Sequence, residues 1–447
     1  MRAALDELAR NGESRLARRV KHRPEGRVNS CVGLGIEVEG LSLRVGQFVD
    51  VETAQGSVPA QVVGFRNQTS FLMPLSPIDG LQVGAGVRAT DSVCGVHPDD
   101  AVGRVINARG EPMDGGAALR PLDQPGTSEA INPLSRPPID EPMDLGVRVI
   151  NALLTVGRGQ RMGLFAGSGV GKSVLLGMLA RLTRADVVVV ALVGERGREV
   201  REFVTDNLGD GLSRCAVVAS PADDSPALRL RGAWLATELA EAYRSQGKHV
   251  LLLMDSLTRC AQAQREIGLA LGEPGTTKGY PPSAFAVLPR LVERAGTTEE
   301  GSITAFYTVL MEEDDLQDPV VDAARAILDG HIVLDRGLAD AGVYPAVQVS
   351  ASVSRVMSRV VADEQGQNAR TFKALWARYR EQQDLINVGA YQAGADPLTD
   401  RAVKLHAAQE AFVRQDEHEA VSLAESQAAL ESLLKPADQV PAVAPNA

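Results

Sequence analysis

The segment Ala166-Gly-Ser-Gly-Val-Gly-Lys-Ser173 constrains this chain more than any other. Just upstream, Arg161-Met-Gly-Leu-Phe165 is a short apolar run. Just downstream, Val174-Leu-Leu-Gly-Met-Leu179 carries apolar residues at helical spacing. The order is strand, glycine-rich loop, helix. Gly167, Gly169 and Gly171 let the backbone turn tightly enough to aim several N–H groups at one phosphate chain. Ala166, Gly167, Ser168, Gly169, Val170, Gly171, Lys172 and Ser173 are therefore the expected nucleotide cradle. Lys172 can reach the β- and γ-phosphates, the Ser173 hydroxyl can hold Mg²⁺, and the helix N-terminus favours an anion. Ala166 stands where the strict pattern has glycine, a position that begins the turn and does not touch phosphate.

A chain of 447 residues suggests about three domains. Its hydrophobic fraction of 44% and charged fraction of 23% match a soluble globular protein. The formal net charge of −11 argues against a general nucleic-acid coat. Cys31, Cys94, Cys215 and Cys260 lack the paired spacing of a zinc site or disulfide framework, so free thiols in a reducing compartment are expected. No run approaches the roughly 18 apolar residues of a membrane span. Met1-Arg-Ala-Ala-Leu-Asp-Glu-Leu8 lacks the apolar core of a secretory signal, which points to a protein kept inside the cell.

Five regions follow from texture. Residues 1–24 place Leu5, Leu8, Leu16 and Val20 at roughly helical spacing among Arg15, Arg18, Arg19, Lys21 and Arg23, either a docking helix or a solvated one. Residues 25–95 hold short apolar runs divided by Gly, Asn and Pro, the pattern of a small β-barrel or sandwich. Within 96–365, residues 110–144 read as surface loops. Beyond them Asp186–Val193, Val250–Asp255 and Ser302–Leu310 are near-continuous β runs among helical stretches, as strands buried on both faces of a parallel sheet require. Residues 366–434 are strand-poor and helical, and 435–447 form a Pro/Ala tail expected to be disordered.

A phosphate loop needs partners. The strand Val250–Asp255 ends in a carboxylate, which places Asp255 at the sheet edge beside the loop, where it can hold Mg²⁺ through water. The strand Asp186–Val193 delivers Glu195 and Arg196 to the same edge through a glycine-bounded turn. A carboxylate there can orient and polarise an attacking water. Arg355, after Ser350-Ala-Ser-Val-Ser354, is a candidate for meeting charge on a transferring phosphoryl group across a subunit boundary. Tyr344-Pro345 offers a rigid aromatic platform for a base.

These motifs, with Leu253-Met-Asp-Ser-Leu-Thr-Arg259, Tyr280-Pro-Pro-Ser283 and Tyr344-Pro-Ala346, resemble the rotary ATPase family. From about residue 25 to 415 the chain is similar to the catalytic β subunit of F-type ATP synthase, and it is closer still to the ATPases of type III protein export. Asp144–Arg161 and Ala326–Leu334 resemble that branch, and Phe165–Ser173 with Ser302–Leu310 and Gln317-Asp-Pro319 look flagellar. The resemblance implies an α/β fold: a RecA-like P-loop ATPase core with a parallel sheet, an N-terminal small β-barrel and a C-terminal helical domain. It implies ATP and Mg²⁺ as ligands, Lys172 on the γ-phosphate, Ser173 on Mg²⁺ and Glu195 as the water-activating carboxylate. Arg196 and Arg259 match phosphate-site arginines, Tyr344 the adenine-stacking tyrosine, Phe412 its counterpart across the base, and Arg355 the arginine finger for a neighbouring subunit.

One chain carrying both Glu195 and Arg355 implies a homohexamer with head-to-tail interfaces. The implied partners are a dimeric stator-like regulator bound by residues 1–24, an export gate and stalk protein, and export chaperone–substrate complexes. The implied place is the cytoplasm, peripheral to the membrane at the flagellar base. The acidic lever by which the synthase β subunit addresses its rotor has no match after Gly394-Ala-Asp-Pro397. Three readings stand beside the flagellar one. An injectisome ATPase shares its motifs. An ion-coupled synthase subunit needs a second kind of chain, which this one does without. A hexameric nucleic-acid motor needs exposed aromatics in the barrel, where only Phe48, Phe65 and Phe71 occur.

Overall fold

The computed structural model describes residues 25–90, 95–122, 132–311 and 318–435. The expected regulator-docking segment, most of the expected tail and Cys94 lie outside them. Lys435 is the described exception in the tail, capping the helix Leu423–Leu434 and pairing with Glu431 at 2.7 Å. The chain divides into two compact units.

The first unit is built on a closed antiparallel barrel: β1 (Glu25–Val32), β2 (Gly35–Glu39), β3 (Phe48–Thr53), β4 (Gly56–Arg66), β5 (Thr69–Pro74) and β6 (Gly86–Ala89). Their spatial order is β1-β2-β5-β4-β3-β6, and β6 returns to β1. Period-two alternation selects the inner face. In β3, Val49 and Val51 point in while Asp50 and Glu52 point out, and the interior is small and aliphatic: Val28, Ile36, Val38, Ala60, Val62, Leu72 and Val87 join them. Closure leaves no unpaired strand edge.

The second unit is a nine-stranded sheet. Its strands are β7 (Arg104–Asn107), β8 (Arg161–Ala166), β9 (Val187–Val193), β10 (Cys215–Ser220), β11 (His249–Asp255), β12 (Gly296–Thr297), β13 (Ser302–Leu310), β14 (Gly330–Val333) and β15 (Val353–Ser354). The order is β15-β14-β8-β13-β11-β9-β10-β7, parallel except where β15 meets β14 and β12 meets β13. All seven residues of β9 are buried, which only helices on both faces permit. The faces are separate cores. Leu251 and Leu253 of β11 enter one; Val250, Leu252 and Met254 enter the other. The first core holds Leu175, Leu176 and Leu179 of the helix Lys172–Leu182 together with Phe372, Trp376, Phe412 and Leu430 from the C-terminal helices. The helices of 366–434 therefore pack into the same core as the phosphate-loop helix. Because the main strands run parallel, the residues after β8, β9 and β11 all emerge along one edge.

Candidate active site

The phosphate loop forms where β8 runs out. Ala166 is still strand, fully buried, with its carbonyl accepting from Met311 N at 3.0 Å. This explains why alanine is acceptable there. The loop then turns through Gly169 (φ +77°) and Gly171 (φ +85°), backbone conformations that side chains with a Cβ rarely adopt. Gly171 caps the helix Lys172–Leu182, and Ser173 lies exposed in its first turn. Two side chains clasp the loop from the segment after β14. Arg336 Nη2 donates to Ser168 O at 3.1 Å, and a methyl group on Gly171 would lie 3.2 Å from ring carbons of Tyr344. Tyr344 remains 44% exposed, so its ring is available for stacking.

Lys172 is the centre of a buried charge cluster. Its Nζ lies 3.1 Å from Glu195 Oε1 and 2.7 Å from Asp255 Oδ1. Burial alone would lower the ammonium pKa, but the Asp255 and Glu195 carboxylates outweigh it and hold Lys172 above its ordinary value. Burial pushes the Asp255 carboxyl up, with Lys172 opposing and Glu195 adding to the rise. Thr308 Oγ1 also donates to Asp255 Oδ1, at 2.6 Å. This threonine is the functional-site residue that the sequence reading missed. The β11–β13 register pairs Met254 with Tyr307, which makes Thr308 the neighbour of Asp255. A hydroxyl inside an otherwise apolar strand end was the available signal.

The arginines are distributed differently. Arg196 precedes the helix Gly197–Glu202 with its side chain 84% exposed, 3.6 Å from Glu199. A hydrogen bond with Glu195 holds the Glu199 carboxyl below its ordinary value. Arg259 is half-buried in the helix Leu257–Ala270 and lies along Gly194, beside Glu195. Arg355 is not part of the cluster. Its guanidinium donates to Leu328 O at 3.1 Å and Arg325 O at 3.2 Å, and it makes no hydrogen bond or ion pair with Lys172, Glu195 or Asp255 among the described residues. The residue just before β15 is firmly held: Ser352 Oγ donates to Gln348 O at 2.7 Å, and Lys373 Nζ donates to Ser352 O at 3.0 Å. Burial lowers the Lys373 amine to about 8. Phe412 is buried against Phe372 at 5.4 Å between ring centroids. It lines a cavity of about 350 Å³ with Arg148, Glu419 and Val421. The structure thus gathers Lys172, Glu195 and Asp255, brings Tyr344 onto the loop, and leaves Arg355 apart.

A buried cluster of one cation and two carboxylates, next to backbone donors at a helix N-terminus, can bind a nucleotide's phosphates and orient water for their hydrolysis. Comparison with known proteins agrees. Residues 146–354 match the nucleotide-binding domain of the ATP synthase alpha/beta family, and residues 361–432 match the C-terminal domain of the type III secretion ATPase EscN. The flagellum-specific ATP synthase of Pseudomonas aeruginosa is 55% identical over 419 residues, 92% of this chain and 93% of that protein. The type 3 secretion system ATPase of Pseudomonas syringae pv. tomato is 44% identical, covering 99% of this chain and all 100% of that one. The solved structure of assembled EscN with its central stalk EscO, from enteropathogenic E. coli, is 40% identical with a TM-score of 0.83, over 91% of this chain and 99% of that one. Among the described residues no helix is long and apolar enough to cross a membrane. The chain belongs to the ATP synthase alpha/beta family, in its branch of flagellum-specific and type III secretion ATPases, and is an ATP hydrolase.

Proposed function

We propose that six copies of this chain form a homohexameric ring at the cytoplasmic base of a flagellar type III export apparatus, peripheral to the membrane. There ATP hydrolysis releases exported proteins from their chaperones and assists their passage. The observation that carries the reading is the division of labour within one chain. Glu195 and Lys172 are gathered at the phosphate loop, while Arg355 lies apart, just after β15, with its guanidinium on two carbonyls. A head-to-tail ring unites one chain's Glu195 with the next chain's Arg355. EscN, similar over 91% of this chain, is seen assembled and with a central stalk, which supports a ring and a stalk-type partner here. Identity of 55% to a flagellar relative, against 44% to a secretion-system one, supports the flagellar branch over the injectisome alternative. The export gate, the chaperone complexes and a stator-like regulator bound by residues 1–24 are partners proposed from the family resemblance.

In this mechanism the loop amides and Lys172 bind the β- and γ-phosphates, and Tyr344 stacks on the adenine. Phe412, buried against Phe372, is the proposed counterpart across the base. Glu195 orients water in line with the γ-phosphate, and Arg259, Arg196 and the neighbour's Arg355 meet the charge that develops on it. The donor set fits Mg²⁺: the Ser173 hydroxyl and the Asp255 carboxylate are hard oxygen ligands, and Lys172, Glu195 and Asp255 together leave one unit of negative charge. When bound, the ion would offset phosphate charge.

Specific ATPase activity measured across a dilution series, with mass determined by light scattering, tests the ring. Activity per chain should rise with assembly. Full activity in a solution of monomers would contradict it.

A further inference from the structure

Tyr344 is free at its ring and tied at its backbone. The ring lies beside Gly171, where a methyl group would come within 3.2 Å of its carbons. The carbonyl of the same residue accepts from Gln415 N at 2.9 Å. The base platform therefore hangs on residue 415, which follows the helix Pro397–Val413 and lies just beyond Phe412.

Residue 415 is itself locked by its side chain. Gln415 is buried, and its amide is spent on backbone groups. Oε1 accepts from Arg148 N at 2.7 Å, while Nε2 donates to Gly146 O at 2.8 Å and to Glu419 O at 2.7 Å. A backbone N–H can only donate and a carbonyl can only accept. These partners admit one orientation of the amide, and a reversed amide would lose every one of the bonds. The Arg148 side chain grips the same turn. Its Nη1 donates to Phe412 O at 3.3 Å and Arg414 O at 3.2 Å, and its Nη2 donates to Glu419 Oε1 at 2.8 Å. The turn that bears Phe412 and supplies the N–H to Tyr344 is thus fixed to the start of the helix Arg148–Leu153.

We infer that Gln415 is a positioning residue for Tyr344, holding the platform where an adenine can lie against it. The inference rests on the reading of Tyr344 as the adenine-stacking residue. None of the Gln415 bonds involves Lys172, Glu195 or Asp255, so its loss should affect the base and spare the phosphates. Gln415→Met is the informative variant, since it keeps the length of the side chain and removes its hydrogen bonds.

Steady-state ATPase kinetics on the full chain should be run for Gln415→Met, Gln415→Ala, Tyr344→Ala and the Gln415→Met, Tyr344→Ala double variant, with thermal midpoints for each. Inorganic tripolyphosphate, which has no base, serves as a competing probe of the phosphate loop. Loss of binding that is equal in the ground and transition states raises KM and leaves kcat alone, so KM for ATP should rise about threefold in Gln415→Met and about fivefold in Gln415→Ala. In both, kcat and the inhibition constant of tripolyphosphate should stay within about twofold of the parent. The double variant should have a KM no higher than Tyr344→Ala, because the amide acts through the tyrosine.

An inhibition constant for tripolyphosphate that rises in step with KM, or losses that multiply in the double variant, would overturn the inference. So would Gln415 variants that lower only the thermal midpoint, or a Gln415→Met chain that does not fold, since the amide would then serve the core alone. Tyr344→Ala separates the two layers. If it raises KM while the Gln415 variants match the parent, the positioning role alone is defeated. If it leaves KM unmoved, the stacking reading of Tyr344 falls, and the inference with it.

Discussion

The phosphate-loop cluster and Arg355, which directly follows β15, sit on one sheet, yet they treat charge in opposite ways. Lys172 is bonded to both Glu195 and Asp255, two buried carboxylates. Arg355 is exposed and spends its donors on the carbonyls of Leu328 and Arg325. The first arrangement is closed and costly to disturb, because an uncompensated buried charge follows from the loss of any member. The second can exchange its carbonyl partners for an anion at small cost. One half of the site is therefore preorganised inside the chain, and the other is presented outward.

The sharpest way to break this comparison is to open the closed half. Lys172→Ala and Glu195→Gln should each reduce turnover by about 10²-fold or more but differ in binding. Lys172 neutralises phosphate in the ground state, so its loss should weaken nucleotide affinity. Glu195 acts on the attacking water, so its loss should leave ATP bound and uncleaved. Nucleotide titration of both variants separates them, and equal losses of affinity would end the division of roles.

Next in size is Thr308→Val, which strips Asp255 of a buried hydrogen bond without changing shape. A hydrogen bond to a charged group is worth about 1.5–3 kcal/mol. Chemical denaturation should show a destabilisation of that order, with turnover also reduced. An unchanged denaturation midpoint would mean that Asp255 does not depend on the hydroxyl.

Two smaller effects address the segment between the halves. Tyr344→Ala removes a stacking platform worth about 1–3 kcal/mol per base, so KM for ATP should rise on the order of tenfold with kcat nearly unchanged. A loss confined to kcat would assign Tyr344 to the loop's geometry instead. Arg336→Ala removes one exposed contact to the loop carbonyl of Ser168. It should change either constant by less than about threefold, because exposed charged contacts contribute little.

Much of this was legible in the sequence for a physical reason: parallel strands buried on both faces leave continuous aliphatic runs. Such runs located β9, β11 and β13, and their ends located Glu195 and Asp255. The barrel was legible as short alternating runs such as Phe48-Val-Asp-Val51. What escaped were contacts set by register and by crossing. Thr308 reaches Asp255 only through the β11–β13 pairing, and Arg336 and Tyr344 reach the loop from a segment more than 160 residues away in sequence. The boundary expected near residue 366 follows the change from strand to helix, but the packing of Phe372 and Trp376 ignores it and continues the core of the sheet. Local pattern reports what an element is, and only the fold reports what it packs against.

The central claim is that the outward half of each site serves a neighbouring chain. Mixing inactive Arg355→Ala with inactive Glu195→Gln tests it most directly, with mixed assembly verified by differential tagging. A ring of both variants contains some interfaces where an intact Glu195 faces an intact Arg355, so turnover should rise clearly above that of either variant alone. Mixed rings that stay at the background of their parts would contradict the account and return Arg355 to a role within its own chain.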